Sequence, residues 1–150
     1  MERTLVVVKP DGVQRRLVGE VLARLERKGL RLAGLKLTRV TPALAEKMYA
    51  EHKGKDFYPP LVDFITASPV VAIVAEGRRA VAIVRTLLGP TNGPEAPGGT
   101  IRGDFGMSRR HNLVHGSDSP ASAEREIAIL FAKDELHDYQ IADETWVYER

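Results

Sequence analysis

The sequence predicts an α+β domain, a ferredoxin-like βαββαβ antiparallel sheet with helices packed on it. Three observations predict it. Short runs rich in β-branched residues alternate with segments of helical spacing, in the order β-α-β-(α)-β-α-loop-β-α. The length of 150 residues suits one domain, spanning residues 1–150, and buries roughly 70% of its unfolded surface. The 43% hydrophobic and 28% charged content is that of a globular chain. The order places the helices on one face of the sheet; a small doubly wound fold has a similar count of strands and helices.

Residues 4–9 are β-branched and apolar and read as a buried opening strand, stopped by the turn residues Pro10-Asp11-Gly12. Leu17, Val18, Val21, Leu22 and Leu25 recur at helical spacing, and Gly29 closes that helix as its C-cap. Residues 30–40 alternate loosely as a second strand, and Thr41-Pro42 is an N-cap and first-turn pair for a helix to about His52. A shorter helix falls within residues 56–68. Residues 70–75, apolar throughout, form a central third strand, and residues 79–88 are helical. Six glycines and three prolines in residues 89–106 predict a long loop, and such loops in compact domains are usually functional. A short fourth strand covers residues 112–115, and Ser119-Pro120 starts a helix to about Phe131. A tail carrying Trp146, Val147 and Tyr148 follows, with residues 133–150 expected in subunit contacts.

Several function classes are disfavoured. The 22 basic residues exceed the 20 acidic ones by only two, too few to argue for a nucleic-acid coat. Cysteine is absent, which removes disulfides, thiolate metal sites and a cysteine nucleophile. No apolar run reaches the ~20 residues of a membrane span. The start Met1-Glu2-Arg3-Thr4 lacks a basic-then-apolar leader, so a cytoplasmic protein is expected. Phosphate-loop, dinucleotide, H-E-x-x-H and G-x-S-x-G signatures are missing. Phosphate handling therefore falls to side chains.

The segment Asn112-Leu113-Val114-His115-Gly116-Ser117-Asp118-Ser119 is the most informative. It sets an imidazole at a strand edge, and Gly116, lacking a Cβ, leaves room beside it for a backbone or ligand. An unperturbed histidine has a pKa of about 6.5 and is mostly a neutral nucleophile near pH 7. His52, His111 and His137 read instead as ordinary surface or structural histidines. Glu126 sits at the edge of the Ala123, Ile127, Leu130 stripe and tilts inward, where a carboxylate needs a partner. His115 is the candidate: a carboxylate on one ring nitrogen fixes the tautomer and frees the other to attack. Arg85, Thr91 and Arg102 can hold phosphate, the glycines around Thr100-Ile101-Arg102 suggesting a backbone bent so that the guanidinium points inward. Lys9 closes an apolar strand, either as a point charge for phosphate or sugar or as a lysine reaching for solvent.

Lys9-Pro-Asp-Gly-Val, Gly99-Thr100-Ile101-Arg102-Gly103-Asp104-Phe105 and the His115 segment, three motifs in order, resemble the nucleoside diphosphate kinases over essentially the whole chain. The resemblance implies a ferredoxin-like fold and a ping-pong transfer of the γ-phosphate from a nucleoside triphosphate to a nucleoside diphosphate. It implies His115 as the nucleophile, phosphorylated on its pros nitrogen, with Glu126 and Ser117 orienting it. Lys9 would hold the transferred phosphoryl and the ribose 3′-hydroxyl, and Asn112 that same hydroxyl. Arg85, Thr91 and Arg102 would hold the other phosphates with Mg²⁺, which no side chain ligates directly. Phe57 would stack on the base beside Leu61, and Tyr49 would line the phosphate side. Broad base tolerance and a homo-oligomer, hexamer over tetramer, complete the expectation, with no membrane and no obligatory nucleic acid.

Two segments depart from the family pattern. Prolines between Thr91 and Thr100 are displaced and a glycine pair precedes Thr100; and Arg16 replaces a glycine, expected to alter only the helix start. An RNA-binding module is the rival reading on the same topology, but the strands lack paired aromatics for stacking bases. Gly103-Asp104-Phe105-Gly106 mimics a GXXG loop without a flanking helix pair.

Overall fold

A computed structural model describes residues 1–149. Its four-stranded sheet has the order β2-β3-β1-β4, and every pairing is antiparallel. The strands are β1 (Glu2–Val8), β2 (Arg31–Thr38), β3 (Val70–Gly77) and β4 (Val114–Gly116). Helices α1 (Pro10–Gln14) and α2 (Val18–Lys28) follow β1, and α3 (Pro42–Met48) and α4 (Tyr58–Thr66) lie between β2 and β3. Helices α5 (Ala80–Leu88) and α6 (Ile101–Phe105) precede β4, and α7 (Pro120–Leu130) and α8 (Glu144–Val147) come last. The βαββαβ order is thus β1-α2-β2-β3-α5-β4. No helix of the described residues is long and apolar enough to cross a membrane.

Helices cover both faces of the sheet, not one. Val6, Val8, Ile73 and Val114 pack with Val21, Leu25 and Val84 of α2 and α5. Leu5, Val7, Ala72 and Val74 pack on the other side with Ala45, Ile65 and Ile127 of α3, α4 and α7. Leu5 to Val8 are all 0% exposed, so β1 has no solvent side, and its unbroken apolar run required a second helical layer.

Three further expectations are corrected. Pro10-Asp11-Gly12 begins α1 rather than a plain turn, because proline suits the first helical turn. The segment read as a continuous loop contains α6, whose start is capped by Thr100 accepting from the Gly103 amide at 2.9 Å. Gly103 has a steric reason: a Cβ there would lie 1.9 Å from the Pro97 carbonyl oxygen. The room expected beside Gly116 is filled by Leu88, 2.7 Å from where a Cβ would stand, so that glycine serves packing.

The tail folds back on its own domain. The His137 amide donates to the Ala33 carbonyl at 2.8 Å, and the Tyr148 hydroxyl accepts from the Arg78 amide at 3.2 Å. Trp146 remains 90% exposed. Arg16 does more than alter a helix start, since its φ of 59° is left-handed. An L-residue with a Cβ pays roughly 1–2 kcal/mol there, partly offset in a glycine variant by chain entropy. Arg16→Gly is expected to raise stability by about 0.5 kcal/mol in denaturant unfolding; a clear loss would contradict the strain.

Candidate functional site

The site forms where β1 ends beside the edge strand β4. In β4, Val114 turns into the core under α2 and α5, so alternation sends His115 to the opposite face, toward α3 and α7. Glu126 waits there on α7, which Ser119 caps by accepting from the Ser122 amide at 3.1 Å.

His115 Nε2 lies 2.7 Å from Glu126 Oε1, and Ser117 Oγ donates to the same oxygen at 2.8 Å. Ser117 is itself fixed to β1: its amide donates to the Leu5 carbonyl at 3.1 Å, and its hydroxyl accepts from the Leu5 amide at 3.4 Å. Burial alone pushes the Glu126 carboxyl up. The hydrogen bond from His115 and its charge, then Ser117 and Arg125, outweigh burial and hold it below the ordinary value. An ionised carboxylate only accepts, so Nε2 carries a proton, and in the neutral ring Nδ1 is the nitrogen that holds the lone pair. Nδ1 has no partner among the described residues.

The turn before β4 is strained and tightly held. Leu113 has φ 73°, a left-handed conformation that costs an L-residue on the order of 1–3 kcal/mol. Its carbonyl accepts from the Lys9 amide at 2.8 Å, and its amide donates to Asp11 Oδ2 at 3.0 Å. A Cβ on Gly12 would come within 2.8 Å of that carbonyl. The Pro-Asp-Gly sequence thus clamps the turn that presents Asn112. Asn112 Oδ1 accepts from Lys9 Nζ at 2.9 Å.

Three cations gather without a carboxylate partner among the described residues. Lys9 is buried, and desolvation with the nearby charge of Arg102 pushes its ammonium down to about 8, with Asp11 opposing. Arg102, also buried, donates through Nε to the Asn112 carbonyl at 3.1 Å. Its two terminal nitrogens donate to the Gly89 and Val114 carbonyls at 2.6 Å. Burial and then Arg85 push its guanidinium down to about 10. Of five guanidinium N–H groups, three hold α6 and the loop to β4, leaving two for a ligand. Arg102 therefore bolts the site together as well as facing it. Arg85 donates to the Gly116 carbonyl at 3.2 Å. Tyr49 is buried, and desolvation followed by the Glu126 charge pushes its phenol up to about 12, so it stays a donor.

These groups line a polar cavity of about 270 Å³ together with Thr91. A second, mainly apolar cavity of about 550 Å³ shares Lys9, Thr91 and Asn112 with it and is lined by Phe57 and Leu61. Phe57 is 47% exposed, with the His52 ring edge-on at 5.1 Å between centroids and the Lys55 ammonium 5.7 Å over its ring. Each expected site residue thus lies in one of the two cavities, except Ser117, which acts from beneath Glu126. Missed from sequence were Pro60, Phe64, Arg109, Arg110 and His111 in the apolar cavity and Glu51, His52 and Asp118 in the polar one. His52 and His111 had been read as ordinary histidines, yet both line the site. The basic run Arg109-Arg110-His111, next to Asn112, was a usable signal. Among the described residues no group of three or more His, Asp or Glu side chains could hold a metal ion.

Burying Lys9 has a thermodynamic signature. A lysine at about 8 when folded and 10.5 when unfolded costs roughly 3 kcal/mol while both states are protonated. That cost is full below pH 8 and is relieved between about pH 8 and 10.5, where the unfolded chain binds the extra proton. Lys9→Met is expected to be more stable than wild type at pH 7, with the gap closing toward pH 10. A pH-independent gap, or a less stable variant, would contradict this.

The chain matches the family model "Nucleoside diphosphate kinase" over residues 2–136. It is 58% identical over 149 residues to a nucleoside diphosphate kinase of Archaeoglobus fulgidus, covering 99% of each chain. It is 55% identical to one of Pelotomaculum thermopropionicum, covering 99% of this chain and 100% of that one. Among solved structures it superposes with TM-score 0.97 on a halophilic nucleoside diphosphate kinase from Halobacterium salinarum in complex with CDP. That protein is 51% identical, with 99% of each chain covered. A family member from Babesia bovis gives 0.96 at 44% identity, with 99% of this chain and 100% of that one covered.

Proposed function

Because the chain belongs to the nucleoside diphosphate kinase family, we propose that His115 Nδ1 is the atom that carries phosphate between nucleotides. The enzyme is a phosphotransferase that moves the γ-phosphate of a nucleoside triphosphate to a nucleoside diphosphate. One observation carries the assignment: an imidazole with Nε2 engaged and Nδ1 without a partner, in a cavity with three cations that form no ion pair among the described residues. Lys9 and Arg102 are buried and form no ion pair among the described residues, which favours an anionic ligand.

The Nδ1 lone pair attacks the γ-phosphorus, and the bond from that phosphorus to the bridging oxygen breaks, releasing the diphosphate. The ring gains positive charge as the N–P bond forms, and the Glu126 carboxylate, accepting from Nε2–H, stabilises it. A terminal oxygen of the second diphosphate then attacks the same phosphorus and returns the neutral imidazole. Lys9 neutralises the transferred group, Lys9 and Asn112 hold the ribose 3′-hydroxyl, and Tyr49 donates from the cavity wall. Arg85, Thr91 and the free N–H groups of Arg102 hold the remaining phosphates. Phosphoryl transfer rests on such positioning and charge neutralisation. Mg²⁺ enters as part of the nucleotide substrate, on its phosphates. Stacking on Phe57 beside Leu61 tolerates every base, since each has a π-face.

A homo-oligomer is part of this reading. β2 is an edge strand with Leu35 50% and Leu37 68% exposed, which favours burial against another copy. A hexamer, with the 133–150 tail at subunit contacts, is preferred over a tetramer. The assembly would work in the cytoplasm, where its substrates are pooled.

Incubation with γ-labelled ATP and Mg²⁺ is expected to leave a protein-bound label stable in alkali and labile in acid. His115→Ala abolishes it; a label that persists in the variant would remove His115 from the role. The catalytic efficiency kcat/KM should fall on the alkaline side with an apparent pKa near 8, as Lys9 loses its charge. An alkaline limb that is unchanged in Lys9→Met would contradict that origin.

A further inference from the structure

Two cavities divide the work of the site. His115, Arg85 and Arg102 line the polar one of about 270 Å³, and Phe57, Leu61 and Phe64 line the apolar one. Among the described residues only Lys9, Thr91 and Asn112 belong to both. The imidazole and the three cations Lys9, Arg85 and Arg102 therefore all stand on the phosphate side. The acids of the polar cavity, Glu51, Asp118 and Glu126, form no ion pair with these cations among the described residues. Glu126 accepts from His115 and Ser117, and Glu51 lies 3.8 Å from His52. A hydrogen bond from Ser122, and less strongly the Arg85 charge, holds the Asp118 carboxyl below its ordinary value against partial burial.

We propose that inorganic triphosphate is a second phosphoryl donor for this enzyme, taken by the polar cavity without a nucleoside. The inference rests on the assignment of His115 given above. A bare triphosphate chain presents to Arg85, Thr91 and the free N–H groups of Arg102 the same oxygens as a nucleoside triphosphate does. Guanidinium forks match those oxygens whatever lies beyond them. Nδ1 of His115 attacks a terminal phosphorus, the bond from that phosphorus to the bridging oxygen breaks, and pyrophosphate leaves with the electron pair. A terminal oxygen of a nucleoside diphosphate then attacks the same phosphorus, and the neutral imidazole returns. What the nucleoside adds is positioning. Stacking of the base on Phe57 contributes about tenfold. The ribose 3′-hydroxyl, held by Lys9 and Asn112, contributes about a hundredfold. Remote contacts of this kind orient the reacting centre, so their loss slows transfer without removing the chemistry. Triphosphate is then a donor about a thousandfold weaker than ATP.

The test incubates the protein with Mg²⁺ and inorganic triphosphate labelled on its terminal phosphorus, after glucose and hexokinase have removed traces of ATP. The expected result is a protein-bound label, stable in alkali and labile in acid, that is absent from His115→Ala. It should form with a second-order rate constant about 10³-fold below that for ATP. Added GDP should carry the label into the γ position of GTP, and added pyrophosphate should discharge the phosphorylated enzyme to triphosphate by the reverse step. F57A should slow labelling by ATP and narrow the gap between the two donors by about tenfold. No label from triphosphate above the His115→Ala background, no discharge by pyrophosphate, or an F57A variant that slows both donors equally would each overturn the proposal. Labelling of the wild type by ATP would in those cases leave the kinase reading intact. If ATP also leaves no label, that reading fails and this inference falls with it.

Discussion

The hydrogen bond between His115 Nε2 and Glu126 Oε1 is the constraint on which the rest of the site depends. It selects the tautomer, aims the opposite nitrogen into the cavity and places a negative charge behind the ring. Its geometry is set from two directions. β4 pairs with β1 through Val7 and His115, and Ser117 ties Glu126 to the Leu5 backbone. The sheet and α7 cannot shift relative to each other without breaking this bond, so the fold itself orients the imidazole.

Around that bond the protein accepts destabilising features. Leu113 occupies a left-handed conformation, and Lys9 and Arg102 are buried with no ion-pair partner among the described residues. Interactions on every side hold each in place: Asp11 on the Leu113 amide, Asn112 on Lys9, and three carbonyls on Arg102. Strain and unpaired charge of this kind concentrate where a ligand restores the balance. Arg102 has a double role, since the bonds that aim it also fasten α6 to β4. Deleting that side chain removes the bonds that hold α6 to β4 together with the N–H groups it leaves free.

Much of this was legible in the sequence, for physical reasons. Strand β1 announces itself by its unbroken β-branched apolar run, helix α2 by its periodicity, Gly29 by its C-cap, and α7 by the Ser-Pro pair at its start. The inward tilt of Glu126 followed from its place on the stripe of α7, where it is 7% exposed. What sequence reading missed depends on contacts distant along the chain. Helix α6 hides in a segment rich in glycine because Gly103 is there for the Pro97 carbonyl, not for flexibility. Gly116 serves Leu88 rather than a ligand, and nothing near it in sequence says so. The second helical layer follows from the two buried faces of β1, a fact visible in its unbroken apolar run but easily read as a single-faced sheet. The place of Arg109, Arg110 and His111 in the apolar cavity emerges only when the 108–112 turn is folded against α4.

The most direct measurement identifies which ring nitrogen bears phosphorus in the trapped intermediate, by heteronuclear NMR of the phosphorylated protein under denaturing alkaline conditions. With Nε2 committed to Glu126, phosphorus must be on Nδ1, the pros isomer. Phosphorus on Nε2 would mean that the Glu126 bond breaks before attack, and the account of how this fold orients its nucleophile would be wrong.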